Sequence, residues 1–268
     1  MEGPRTPRSS RAFAFGLSGL GRGAPAPSAR AGEQVESPAR RRSDTLRGEE
    51  GTIQGLFLSF EGGEGAGKST QAARLADALA ARGVPVELVR EPGGTALGEA
   101  VRAVLLERRE TPLVPAAEAL LYLAARAQLV RERILPALAA GRCVVADRFA
   151  DSTLAYQAFG LGEPIELVES ANGWATAGRK PDRTYLLDLD PEVGLERHES
   201  EHPVRDRIEA RGLEYHQRVR EGYRRLARAE TGRFLVLAAE EPVERLHAII
   251  LEDAWRLWCS RGERGGEA

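Results

Sequence analysis

The stretch EGGEGAGKST, Glu61 to Thr70, crowds glycine in front of Lys68, in a chain whose other basic residues are almost all arginines. Gly62, Gly63, Glu64, Gly65, Ala66, Gly67, Lys68 and Ser69 satisfy G-x-x-x-x-G-K-[ST], a pattern whose chemistry is to hold phosphate. Glycines reach dihedrals that turn successive backbone N–H groups toward one point. A following helix adds the positive end of its dipole. Lys68 offers a compact cation to β- and γ-phosphates, Ser69 offers a hydroxyl to Mg²⁺, and Thr70 completes the triphosphate-binding set.

Such a loop serves switches, motors and small-molecule kinases alike, so other residues must choose. No Asn-Lys-x-Asp for guanine is present, and Asp147-Arg148 stands where motor ATPases usually carry Asp-Glu. An acid followed by a base suits phosphoryl transfer between two bound nucleotides: Asp147 holds Mg²⁺ through water and Arg148 bridges donor and acceptor phosphates. The plain structural reading of the same pair is a helix cap and a surface ion pair. Glu64 inside the loop would repel a triphosphate unless a sugar hydroxyl or hydrated metal occupies it, which points to a second substrate reaching back. Arg197, Arg205, Arg207 and Arg211 fall within LERHESEHPVRDRIEAR (residues 195–211), with the lid expected at about 199–211. This segment reads as a mobile lid that turns helical near Asp206, or else as a solvated charged stretch. The attacking phosphate oxygen is already ionised at neutral pH, so no histidine is required as a base.

Short apolar runs place these residues. LFLSFE (Leu56–Glu61), VPVELV (Val84–Val89), CVVAD (Cys143–Asp147), TYLLDLD (Thr184–Asp190) and RFLVLA (Arg233–Ala238) read as five buried strands. Helical spacing separates them: Lys68–Arg82 before Gly83, about Pro115–Ala140 with a kink or the start of a new turn at Pro136, and about Glu241–Cys259. Alternating strands and helices imply an α/β fold with a parallel sheet covered on both faces. Ligands then bind beyond the carboxyl ends of the strands, where EGGEGAGKS, REPGGT, DRF and the segment past DLD lie.

The formal net charge of −2 provides no field to attract nucleic acid or a membrane, and no apolar run reaches the ~20 residues of a spanning helix. Cys143 and Cys259 lack metal-ligand spacing and read as inert thiols in a reducing cytosol. Residues 1–52 are rich in Arg, Ser, Pro, Gly and Ala without apolar period. They read as a disordered tail, as an upstream extension, or, with arginines and one acid up to Ala31, as an organellar transit peptide. The folded domain is expected over 53–262, with a short tail at 263–268. Localisation follows as cytoplasmic, or organellar if the tail is a transit peptide.

From about Leu56 to Trp258 the chain resembles bacterial thymidylate kinase, of the P-loop nucleoside monophosphate kinase family. The motifs that carry the resemblance are FEGGEGAGKSTQ, REPGGTALGEAVR, LLYLAARAQLV, DRFADSTLAYQ, PDRTYLLDLDPEVGLER and DRIEARGLEYHQRVREGY. It implies a P-loop NTPase-type three-layer α/β/α fold around a five-stranded parallel sheet, transfer of the γ-phosphoryl of ATP to dTMP with Mg²⁺, and a homodimer. By position it assigns Tyr122 to stacking on thymine and Arg126, one turn later, to a hydrogen bond with the base. Arg102 and Arg148 hold the acceptor phosphate, and Thr153, Tyr156 and Gln157 line the acceptor pocket, with Tyr156 disfavouring a 2′-hydroxyl. Glu64 approaches the acceptor sugar, and Glu91-Pro92 forms the turn beneath it, a role that backbone fixation by proline also explains. Arg197 is a stacking partner for adenine or an ordinary surface arginine. The loop lacks the arginine found there in one branch of the family, so a lid arginine, Arg207 assisted by Arg205, is expected to stabilise the transferring phosphoryl. Phe149 stands where many members carry tyrosine.

Overall fold

The computed structural model describes residues 55–107, 111–201 and 206–264. The expectations for residues 1–52 and for Arg205 lie outside the described residues.

Five strands form one parallel sheet: β1 (Phe57–Gly62), β2 (Val86–Arg90), β3 (Cys143–Asp147), β4 (Arg183–Asp188) and β5 (Phe234–Ala238), in the order β2-β3-β1-β4-β5. Central β1 is buried along its whole length, so its apolar run is continuous instead of alternating. Leu58, Phe60, Val145, Tyr185 and Leu187 pack on one face against α1 (Lys68–Ala80) and the final helix. Phe57, Val144, Ala146 and Phe149 pack on the other, against the long helical stretch over residues 115–139. The registers Phe60↔Asp147, Arg90↔Asp147 and Gly62↔Leu187 bring the carboxyl ends of β1 to β4 to one edge.

The remaining helices are α2 (Ala96–Leu106), α3 (Pro115–Leu129), α4 (Leu135–Ala139), α5 (Ala150–Thr153), α6 (Ile165–Ala175), α7 (Pro191–Glu201), α8 (Leu213–Ala229) and α9 (Val243–Arg264). Thr95 caps α2, its hydroxyl accepting from the Gly98 N–H at 2.9 Å. Pro115 opens α3, where its missing N–H costs nothing.

At Pro136 a new helical turn begins, one of the two expected outcomes: a π-type turn over Val130–Ile134 leads into α4, which carries Pro136 in its first turn. Two expectations are corrected. The expected loop is helical as far as Glu201, where α7 ends, and a turn, not a helix, follows Asp206 until α8 begins at Leu213. Glu192 in the first turn of α7 suits the helix dipole. Finally, α9 continues to Arg264, past the expected tail boundary.

Candidate active site

The phosphate loop joins β1 to α1. Gly62, Gly65 and Gly67 have φ of 143°, 64° and 83°, conformations that a side chain would strain. Gly67 caps α1, so Lys68 is the first residue of that helix. Its Nζ curls back to donate to the Gly63 carbonyl at 2.5 Å. Burial, then the positive Arg148, push the Lys68 ammonium down to about 8. Ser69 Oγ donates to Asp147 Oδ2 at 2.5 Å, so the hydroxyl that ends the loop meets the carboxylate that ends β3. Two hard oxygens at one point fit Mg²⁺, which takes few protein ligands and completes its shell with phosphate and water.

A feature missed in the sequence supports the loop from behind. A Cβ on Gly65 would stand 2.1 Å from the Gly194 carbonyl, and one on Gly194 would stand 2.3 Å from the Glu64 carbonyl. The first turn of α7 therefore presses backbone to backbone on the loop. The only signal was a glycine inside a helical pattern, PEVGLERH.

Arg148 adopts φ 70°, rare for a non-glycine residue, directly after β3. Its guanidinium donates to Glu64 Oε2 at 2.9 Å and to the Gly62 carbonyl at 3.2 Å, and lies 4.9 Å from the centre of the Tyr156 ring. Tyr156 donates its phenol to Glu64 Oε1 at 2.6 Å. The repulsion expected of Glu64 is thus answered by protein groups. Burial opposes its charge, but Arg148, Lys68 and the Tyr156 hydroxyl outweigh burial and hold it down to about 2.

Behind Arg148 lies Glu61, wholly buried at the end of β1. It accepts from the Phe149 N–H at 2.8 Å, Ser152 Oγ at 2.6 Å and Tyr223 Oη at 2.8 Å. Burial, then Asp151, raise it from 4.5 to about 7 against the opposing hydrogen bonds and Arg148. A raised carboxyl favours the folded state while protonated, so its contribution is full below pH 4.5 and declines as pH rises to about 7. In Glu61→Gln the amide can face Ser152 and Tyr223, whose hydroxyls can accept. We predict that this variant folds and that its stability falls less steeply than wild type between those values. Denaturant midpoints at pH 5, 6 and 7 measure the difference, and parallel curves would refute the assignment.

One cavity of about 760 Å³ holds the rest, near the large end for small-molecule sites. It is lined by the loop from Glu64 to Thr70 and by Asp147 and Arg148. Glu91, Pro92, Arg102, Tyr122, Thr153, Tyr156 and Gln157 form its other end. The Glu91–Pro92 peptide is cis, and the Pro92 carbonyl accepts from Arg102 Nη1 at 3.1 Å. Arg197 lines the cavity and donates to the Ala239 carbonyl at 3.1 Å, which makes it part of the wall. Ala239, Pro242, Val243 and Leu246, past β5, complete that wall and were missed, since short apolar residues carry no chemical signal.

Two of the expected residues are not among those that line the cavity. Arg126 is 1% exposed and does not line the cavity. Its N–H groups go to Glu91, Thr153 Oγ1, Asn172 Oδ1 and the Phe149 carbonyl, so nothing is left over for a base. Arg207 is also off the cavity, with Nη1 on Glu118 at 2.6 Å, Nε on the Leu105 carbonyl at 2.8 Å and Nη2 buried without a hydrogen-bond partner among the described residues. In both cases a buried carboxylate offers a better partner than open solvent.

The family model described as thymidylate kinase matches residues 60–250. The chain belongs to the thymidylate kinase family. The matched residues of the thymidylate kinase domain include every cavity-lining residue, from Glu64 to Leu246. Among curated relatives, the thymidylate kinase of Deinococcus radiodurans is 48% identical over 212 residues, 79% of this chain and 98% of that protein. That of Solidesulfovibrio magneticus is 52% identical over 190 residues, 69% of this chain and 91% of that protein. The crystal structure of thymidylate kinase from Ehrlichia chaffeensis is similar at a TM-score of 0.62 and 31% identity, covering 75% of this chain and 98% of that one. No described helix is long and apolar enough to cross a membrane.

Proposed function

We propose that this chain is a nucleoside monophosphate kinase that transfers the γ-phosphoryl of ATP to dTMP, giving ADP and dTDP, a step in dTTP synthesis for DNA replication. The observation that carries this reading is that the phosphate loop and the pocket walled by Tyr122, Thr153 and Gln157 open into one cavity. Arg148 is hydrogen-bonded to the loop and stacked on the pocket's Tyr156.

In the mechanism, loop amides and Lys68 hold the β- and γ-phosphates, while Arg148 and Arg102 hold the acceptor phosphate for in-line attack. Thymine lies against Tyr122, and Gln157 meets its polar edge. Ser69 and Asp147 would hold Mg²⁺, which supplies charge neutralisation across the β- and γ-phosphates when bound. The acceptor oxygen is an anion before it attacks, so the residues align and neutralise and remove no proton. Arg148 takes the role first expected of Arg207. ADP release measured with dTMP, dUMP, UMP, AMP and thymidine tests the reading: release should depend on dTMP above the others. A preference for any other acceptor, or none, would sink it.

The active unit is a homodimer that joins through α3 and α6, which pack together. Leu120, Leu167 and Trp174 on these helices are 64%, 63% and 81% exposed, apolar surface that a monomer rarely leaves bare. Trp174→Glu is predicted to halve the sedimenting mass at micromolar concentration; unchanged mass would rule out this face. The enzyme works in the cytoplasm.

A further inference from the structure

We propose that Glu118 is a positioning residue for base selection: clasped by Arg207 and Arg211, its carboxylate orients the Gln157 side-chain amide so that Oε1 is the acceptor offered to the pyrimidine. This rests on reading the cavity as the dTMP site.

Glu118 lies on α3 one turn before Tyr122, with its side chain 0% exposed. Its Oε2 accepts from Arg207 Nη1 and Arg211 Nη2, both at 2.6 Å. Its Oε1 accepts from Arg211 Nη1 at 3.2 Å and from Gln157 Nε2 at 3.0 Å. Burial disfavours the charge, but the two guanidinium groups outweigh it and hold Glu118 below its ordinary value. An ionised carboxylate only accepts, so Gln157 must turn its NH₂ toward Glu118. Among the described residues no hydrogen bond reaches the other end of that amide, Oε1, and Gln157 lines the cavity.

The consequence is chemical. Thymine and uracil carry N3–H, a donor that an amide oxygen accepts. Cytosine carries a lone pair at N3 and would face oxygen against nitrogen. A site built to hydrogen-bond one pattern rejects the other strongly because its own buried group is left unpaired. Arg207 and Arg211 reach Glu118 from the segment leading into α8, so the lid's base and the base-reading amide share one carboxylate.

Glu118→Gln tests this directly. Its single carbonyl oxygen should sit where Oε2 was, since both arginines donate there, which leaves its NH₂ facing Gln157. Two donors cannot face each other, so Gln157 flips and presents NH₂ to the base. We expect KM for dTMP to rise about tenfold or more while KM for ATP stays within about threefold. The preference for dTMP over 5-methyl-dCMP, as a ratio of kcat/KM, should fall at least about tenfold. Glu118→Asp keeps the charge, and the long arginines can follow it, but it falls short of Gln157, so the same fall in preference is expected from a gentler variant. An unchanged preference in either folded variant overturns the proposal, even if both KM values rise together. Absence of dTMP kinase activity in the wild-type protein would instead overturn the functional reading itself.

Discussion

Lys68→Ala is expected to fold normally and to lose phosphoryl transfer by about 10³ or more. The fold should survive because Lys68 contributes little to it. Its ammonium is buried, burial and Arg148 depress it to about 8, and its one hydrogen bond is to the loop's own Gly63 carbonyl. Removing a charge that the folded state disfavours does not destabilise that state. Activity, in contrast, depends on that charge, since the ammonium is the only lysine at a site where charge moves from the γ-phosphate toward the β-phosphate. A loss of about 10³ is about 4 kcal/mol of transition-state stabilisation. Turnover by acceptor-dependent ADP release, with a thermal midpoint as the folding control, decides it. Activity within tenfold of wild type, in a folded variant, removes Lys68 from the mechanism.

Arg148→Lys is expected to lower kcat/KM for dTMP by about 10² to 10³ although the charge is retained. A guanidinium fork reaches Glu64, the Gly62 carbonyl and the Tyr156 ring together, which one ammonium cannot reproduce. Arg148→Met goes further and leaves Glu64 without its nearest cation. That carboxylate, now held to about 2, should titrate measurably higher, because burial then has less to oppose it. The separation of the two variants is informative: a Lys variant as active as wild type would mean that only charge at this position matters. An unmoved Glu64 titration in the Met variant would mean that Arg148 is not its main counter-charge.

Much of this architecture was legible in the chain. The loop motif, the five strands and the Asp147-Arg148 pair depend on local glycine chemistry and apolar runs, which act over a few residues. β3 appears over the residues expected, and the other strands shift by one or two. The stretch up to Glu201 was misread because its composition looked unhelical, while packing against the loop at Gly194 holds the start of that helix.

What the chain alone determined is the chemistry at each carboxyl end of the sheet, because a side chain's type and its distance from a strand end are written in sequence. What the tertiary structure decided is which arginine is available to substrate. Arg126, Arg148, Arg197 and Arg207 are chemically identical, and each was expected at a nucleotide. Arg126 is spent on Glu91, 35 residues away, and Arg207 on Glu118, 89 residues away, whereas Arg148 still lines the cavity. A guanidinium takes the carboxylate that the fold brings nearest, and that partner is set by packing over distances no local pattern records.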